Sequence, residues 1–166
     1  MVKWVKNKRW GENPTLFWSQ SMIHYKGPGD IFRLEVELKL CPVNTLGVMG
    51  NGLALAFKWK YPNVYKRYRE LCQTKQFAVD QLLIVDGVVC FPTKREFYYD
   101  SKLEYIEANL RKLAKYCEDK KIKTLALPAL GCGKGNLEFE AVERLVEDLL
   151  GPLETKVWFL TKRKGR

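Results

Sequence analysis

The sequence predicts an α/β protein in which a mixed sheet carries helices on both faces. Three observations point there. Short apolar runs of strand type alternate with segments of helical periodicity. Two of the strand-to-helix connections are rich in glycine, and the strongest helical segment, residues 101–120, repeats its apolar residues at helical spacing. The 166 residues suit one domain with a short arm. With 46% hydrophobic and 29% charged residues, the chain is not a disordered tail.

The elements follow in order. Residues 1–19 read as an irregular arm with Gly11 and Pro14 as breakers, so residues 1–20 form a basic, tryptophan-bearing N-terminal arm and 21–166 the folded domain. Residues 22–25 read as a first strand, ended by Gly27-Pro28-Gly29. Residues 34–43 alternate and then turn apolar, as a strand entering a core does. Residues 52–60 read as a helix that stops near Pro62, and Pro62 suits the first turn of a second helix running to about residue 73. Residues 82–85 and 88–91 flank Asp86-Gly87, a strong hairpin signal. In residues 101–120, Leu103, Ile106, Leu110, Leu113 and Ala114 fall on one face, with Glu104, Glu107, Arg111 and Lys115 on the other. Residues 124–127 read as a short buried strand, 137–150 as a helix stopped by Gly151-Pro152, and 157–161 as a last strand.

No apolar run approaches the ~18 residues of a membrane helix, and residues 82–91 are interrupted by Asp86 and Gly87. Residues 1–13 have no apolar stretch of signal-peptide type, so no secretory signal is expected. The 29 Lys and Arg against 19 acids give a net charge of +10 and a pI near 9.4, which favours polyanionic partners. The excess gathers at the ends: Lys3, Lys6, Lys8 and Arg9 beside Trp4 and Trp10, then Lys156, Lys162, Arg163, Lys164 and Arg166. Such interleaving suits a single-strand nucleic-acid surface, and equally an arm pinned to its domain by Trp4, Trp10 and Trp18. Five cysteines (Cys41, Cys72, Cys90, Cys117, Cys132) without a C-x-x-C disfavour a disulfide framework or a zinc cluster and suit a reducing, cytoplasmic compartment. With His24 as the single histidine, neither a Ser-His-Asp triad without it nor a catalytic metal is expected.

Two glycine loops carry the functional signal. The first runs Val43-Asn44-Thr45-Leu46-Gly47-Val48-Met49-Gly50-Asn51-Gly52; the second runs Leu127-Pro128-Ala129-Leu130-Gly131-Cys132-Gly133-Lys134-Gly135-Asn136-Leu137. Each lies between a strand and a helix, where amide groups and a helix dipole can meet a phosphate. Two in one small domain suggest a diphosphate held between them. Neither fits G-x-x-x-x-G-K-[ST] or a Rossmann G-x-G-x-x-G, so a P-loop kinase and a nicotinamide dehydrogenase are disfavoured.

These loops, with Gly29-Asp30-Ile31-Phe32 and Phe91-Pro92-Thr93-Lys94-Arg95, resemble the macrodomain family, most nearly its DarG-like DNA ADP-ribosyl glycohydrolase branch. The matching stretches run from about residue 22 to 161. The resemblance implies a three-layer α/β/α fold with a central mixed sheet. It also implies an ADP-ribose ligand and a mono-ADP-ribosyl hydrolase that removes ADP-ribose from a nucleic-acid base. Asp30 and Ile31 would meet the adenine. Leu130, Gly131, Cys132, Gly133, Lys134, Gly135 and Asn136 would hold the diphosphate. Asn44, Gly50, Asn51 and Gly52 would surround the distal ribose. Lys94 would be catalytic, with Asn44 beside it. A lysine there can attack the anomeric carbon or stabilise developing charge, and nucleophilic work needs its amine neutral.

The chain departs from relatives of this type at Cys41, where hydrolytic macrodomains often carry asparagine, at Gly135, where one branch carries aspartate, and at Asn51, where DarG-like chains often carry lysine. The implied partners are ADP-ribose or an ADP-ribosylated substrate, with single-stranded DNA as a candidate. A toxin–antitoxin setting and a monomeric state go with the resemblance, and neither a cofactor nor a metal is implied. The same pocket would serve an ADP-ribose-1''-phosphate phosphatase, an O-acetyl-ADP-ribose deacylase or a non-catalytic reader.

Overall fold

The computed structural model describes residues 4–6, 18–27, 29–131 and 135–161. A six-stranded sheet lies at its centre, built from β3 (Ile23–Tyr25), β4 (Leu38–Val43), β5 (Leu83–Val85), β6 (Val88–Pro92), β7 (Thr124–Leu127) and β8 (Lys156–Phe159). Its order is β3-β8-β7-β4-β6-β5. Every pairing is parallel except β5 with β6. That last pair is the expected hairpin: Val85 faces Val88 across Asp86 (φ 51°) and Gly87 (φ 76°), two left-handed residues as a type I′ turn requires.

Helices α1 (Gly52–Lys60) and α2 (Pro62–Gln73) cover one face; α3 (Leu103–Asp119) and α4 (Phe139–Leu150) cover the other. Strand alternation separates the two cores. Leu38, Leu40, Val89, Phe91, Leu125, Leu127, Val157 and Phe159 pack with Ile106, Leu110, Leu113, Val142 and Val146. Cys41, Val43, Val88, Cys90 and Ala126 pack with Phe57, Val64, Tyr68 and Cys72. The result is the three-layer α/β/α arrangement with a mixed sheet that the sequence implied.

The bounds of α1 and α2 match the sequence expectation. Helix α3 begins at Leu103, later than expected, and leaves Ser101 outside it. Its hydroxyl turns to Thr93 Oγ1 at 3.2 Å, and the cap position falls to Lys102, whose side chain makes no cap bond. The strand expected from residue 34 begins at Leu38. Before it, Ile31–Arg33 coil into a 3₁₀ turn capped by Asp30, and Phe32, Leu34 and Val36 pack against the α1–α2 core.

The arm is corrected too. Instead of being irregular, β1 (Trp4–Lys6) pairs antiparallel with β2 (Trp18–Gln20), with Trp4 opposite Gln20 and Lys6 opposite Trp18. Trp4, Val5 and Trp18 are strong strand formers, and both breakers, Gly11 and Pro14, fall between the two strands in sequence. Residues 7–17 and the basic tail at 162–166 lie outside the described residues. Among the described residues, no helix is long and apolar enough to cross a membrane.

Candidate functional site

Strands β3, β8, β7, β4 and β6 run parallel, so the loops after them collect at one sheet edge. From β4 the chain leaves toward β5 and β6; from β7 it leaves toward β8, in the opposite direction. The crevice between neighbouring strands whose connections diverge is where an open α/β sheet binds ligand. A cavity of about 650 Å³ opens there. It is lined by loop one (residues 44–51) and the start of α1, by Thr93, Lys94 and Phe97 beyond β6, and by Pro128, Ala129, Gly131 and Gly135 beyond β7.

Loop one is shaped by Asn44, a buried residue at the end of β4. Its Oδ1 accepts from the amides of Leu46 (3.0 Å) and Val48 (3.3 Å), and its Nδ2 donates to the Val48 carbonyl (2.9 Å). The Tyr68 hydroxyl on α2 donates to Asn44, shared between its carbonyl (2.8 Å) and Oδ1 (3.0 Å). Burial raises the Tyr68 phenol well above its ordinary pKa, so it stays a donor at any pH the protein meets. Gly47 (φ 87°) lets the loop lie on α2, since a Cβ there would come 3.2 Å from Cys72 Cβ. Gly52, Leu53 and Ala54 at the start of α1 line the cavity, and the Asn51 side chain does not cap the helix. Uncapped helical amides beside a pocket suit an anion.

Loop two is shaped by close approach. A Cβ on Gly135 would lie 2.3 Å from Ser101 Oγ and 2.5 Å from the Gly131 carbonyl. Gly131 (φ 68°) sits where a Cβ would meet Leu137 at 2.7 Å. The Gly135 carbonyl accepts from the Ser101 amide at 3.0 Å, and the Leu137 amide closes the loop on the Gly131 carbonyl at 2.9 Å.

Between the loops stands Lys94. Its backbone is fixed on either side: the Thr93 amide donates to the Val43 carbonyl at 3.0 Å, and the Arg95 carbonyl accepts from the Thr45 amide at 2.9 Å. Lys94 is the one titratable side chain among the described residues lining the cavity, and the described residues give its ammonium no carboxylate partner. A half-buried cation between an anion-binding helix start and a glycine loop can hold a phosphorylated sugar and act on it.

The Macro domain family model matches residues 41–146. The chain belongs to the Macro domain family. A Mycobacterium tuberculosis protein named DNA ADP-ribosyl glycohydrolase is 37% identical over 131 residues, which cover 74% of this chain and 37% of that protein. The macrodomain of Thermus aquaticus DarG superposes with a TM-score of 0.78 at 28% identity, covering 85% of this chain and 98% of that one. Thermosipho africanus DarTG, solved in complex with ADP-ribose, superposes with a TM-score of 0.74 at 32% identity, covering 83% of this chain and 41% of that one. The chain spans less than two fifths of the length of the DNA-directed relatives it matches.

Of the residues expected at the site of this macrodomain, the structure brings Asn44, Gly50, Asn51, Gly52, Lys94, Gly131 and Gly135 to one cavity. Leu130 is fully buried in the core. Asn136, at φ 60°, donates from its amide to Asp100 outside the lining. Asp30 and Ile31 also lie outside it: Asp30 Oδ1 caps the Phe32 amide at 2.9 Å, and Ile31 is buried. Cys132, Gly133 and Lys134 lie outside the described residues. Asn44 reaches the cavity with its carboxamide already engaged by loop one.

Sequence reasoning missed Ser101, Tyr68 and Phe97. Ser101 resembles a helix cap in sequence, and Tyr68 one apolar position of an amphipathic helix. Their bonds to Thr93 and Asn44 exist only after the sheet has assembled.

Proposed function

We propose that this macrodomain is an ADP-ribosyl hydrolase that removes ADP-ribose from a DNA base, with Lys94 acting at the distal ribose. The observation that carries the proposal is the position of Lys94, held rigidly at the end of β6 inside the cavity that both glycine loops border. Relatives named DNA ADP-ribosyl glycohydrolase, and the ADP-ribose held by Thermosipho DarTG, support the choice of ligand and reaction.

The ligand lies with its diphosphate between the start of α1 and Gly131 and Gly135, and its adenine reaches past the cavity lining toward Asp30 and Ile31. Its distal ribose lies beside Gly50, Asn51, Gly52 and Lys94. Asn44 serves as a positioning residue that fixes the loop-one backbone around that ribose. Lys94 Nζ gives its ammonium proton to solvent and attacks the anomeric carbon. The bond from that carbon to the base breaks, and the base leaves with a proton taken from Nζ. The sugar ring opens to a protonated imine on Nζ as its oxygen takes a proton from water, and the hydroxide so formed adds to the imine carbon, releasing ADP-ribose and restoring the amine. The reaction needs no cofactor or metal. The four described cysteines, all free and buried, suit a reducing cytoplasm. A monomer is the state proposed with this reading.

The test compares wild type with Lys94→Ala by calorimetry with ADP-ribose and by turnover of ADP-ribosylated single-stranded DNA. The expected result is cleavage lowered by about 100-fold or more, with ADP-ribose affinity held within about threefold. Borohydride added during turnover should trap a covalent adduct on Lys94. Full cleavage by Lys94→Ala would replace the lysine with a water route. Binding without cleavage by the wild type would make the protein a reader or a small-metabolite enzyme.

A further inference from the structure

Loop one has a second, outer side. There a separate cleft of about 290 Å³ lies between loop-one residues 46–50 and Lys58, Tyr65, Arg69 and Gln73. Tyr65, Arg69 and Gln73 are spaced four apart and form one stripe of α2. The adjacent stripe, Val64, Tyr68 and Cys72, is buried in the core. Because Gly47 has no side chain, loop one rests directly on Arg69, whose Cα and Cγ would each lie 3.7 Å from a Cβ at that position.

The chemistry of this face is cationic and aromatic. Residues 52–70 carry five cations (Lys58, Lys60, Lys66, Arg67, Arg69) and one acid, Glu70. Glu70 lies 3.9 Å from Arg67, and the described residues offer no carboxylate to Lys58 or Arg69. The Lys58 ammonium stands 4.6 Å from the centre of the Tyr65 ring and 5.9 Å from that of Trp59. Trp59 is 73% exposed, an unusual position for so large a ring, and leaves its face open for stacking. Cations without a carboxylate partner beside an exposed aromatic ring are what a single nucleic-acid strand binds: phosphates meet the cations and a base stacks on the ring.

The inner cavity and the outer cleft share Val48 and Gly50. One loop therefore separates the cavity from the cleft. We infer that the outer face of loop one is a strand-binding site, at which Lys58 and Arg69 hold phosphodiesters of the single strand whose modified nucleotide occupies the cavity. This rests on the functional reading above for the occupant of the cavity, but not for the cleft itself. It also differs from a site on the terminal cations, since Lys58 and Arg69 belong to the folded core beside the loop.

The test uses the full chain, wild type and Lys58→Ala/Arg69→Ala, with circular dichroism to verify folding. Three probes are titrated: ADP-ribose, an unmodified single-stranded oligonucleotide of about a dozen nucleotides, and the same strand carrying ADP-ribose on one base. The double variant should bind ADP-ribose as the wild type does and bind both strands at least about tenfold more weakly. Its log–log salt slope for the strands should fall by about 1.4, from roughly 0.7 per phosphate contact. Lys58→Arg/Arg69→Lys should restore most of that slope. Strand affinity and slope unchanged in the double variant would overturn the inference and leave this face to an acidic protein. An equal loss for ADP-ribose and strands would overturn it as well, by placing both cations in the inner pocket. If the wild type binds no ADP-ribose yet binds the unmodified strand through Lys58 and Arg69, the hydrolase reading fails and the strand site stands.

Discussion

In loop one a single carboxamide, that of Asn44, joins the Leu46 and Val48 amides, the Val48 carbonyl and the Tyr68 hydroxyl. In loop two the corresponding work is done by missing atoms: Gly135 and Gly131 approach Ser101 and Leu137 more closely than any side chain allows. The first loop is held by bonds that can be removed one at a time, and its backbone can still relax afterward. The second is held by shape together with two backbone bonds, and an added methyl has no place to go. A loop can thus be made rigid by polar satisfaction or by steric fit, and the two respond differently to mutation.

The sharpest way to break that contrast is Gly135→Ala. The new methyl would meet Ser101 Oγ and the Gly131 carbonyl, and the second of these is backbone. A stability loss of about 1–3 kcal/mol in urea titration is expected from overpacking. ADP-ribose affinity should fall by about tenfold or more, read by calorimetry, because the loop amides shift. Adding Ser101→Gly should recover only part of the affinity. Complete recovery would mean that the serine side chain alone sets the position of loop two.

Asn44→Ala comes next. It takes the partner from the Leu46 and Val48 amides and the Val48 carbonyl, while Tyr68 keeps the Asn44 backbone carbonyl, at a cost of about 1–3 kcal/mol. ADP-ribose should still bind, but more weakly, since loop one can reorder around the ligand. A loss of affinity as large as that of Gly135→Ala would make loop one as unforgiving as loop two.

A smaller effect is expected for Tyr68→Phe, which keeps the ring and removes one hydroxyl. About 1 kcal/mol of stability is expected to go. If this variant costs as much as Asn44→Ala, the hydroxyl on α2, rather than the carboxamide, is the brace of loop one.

The smallest effect belongs outside both loops. Burial, with Lys156 nearby, holds the His24 imidazole below its ordinary pKa. The native state therefore resists the proton that the unfolded chain accepts below about pH 6.5. Stability linked to His24 is present above that pH and is lost as pH falls toward the lowered native value. His24→Gln should flatten Tm between about pH 7 and 5 while leaving ADP-ribose affinity unchanged. A change in affinity would tie β3 to the loops.

Much of the fold was legible from local chemistry. Pro62 marks the break between α1 and α2, and Asp86-Gly87 marks the hairpin, because each acts on backbone torsions within a few residues. The glycine loops were legible for the same reason. The boundary of α3 was not, because the hydroxyl of Ser101 has a partner eight residues away on another element. The pairing of Trp4–Lys6 with Trp18–Gln20 was hidden behind the intervening Gly11 and Pro14.

By itself the sequence determined the order of strands and helices, the two glycine loops, and the family to which they belong. These rest on short-range periodicity, torsional preference and motif spacing. Tertiary structure alone decided that Asn44 braces a loop, that Ser101 sets the position of Gly135, and that Lys94 enters a cavity while Asp30 remains outside it. Those outcomes depend on the parallel sheet bringing the ends of β4, β6 and β7 to one edge. The contacts of Tyr68 with Asn44 and of Ser101 with Gly135 join residues 24 and 34 positions apart and leave no mark in either stretch of sequence alone.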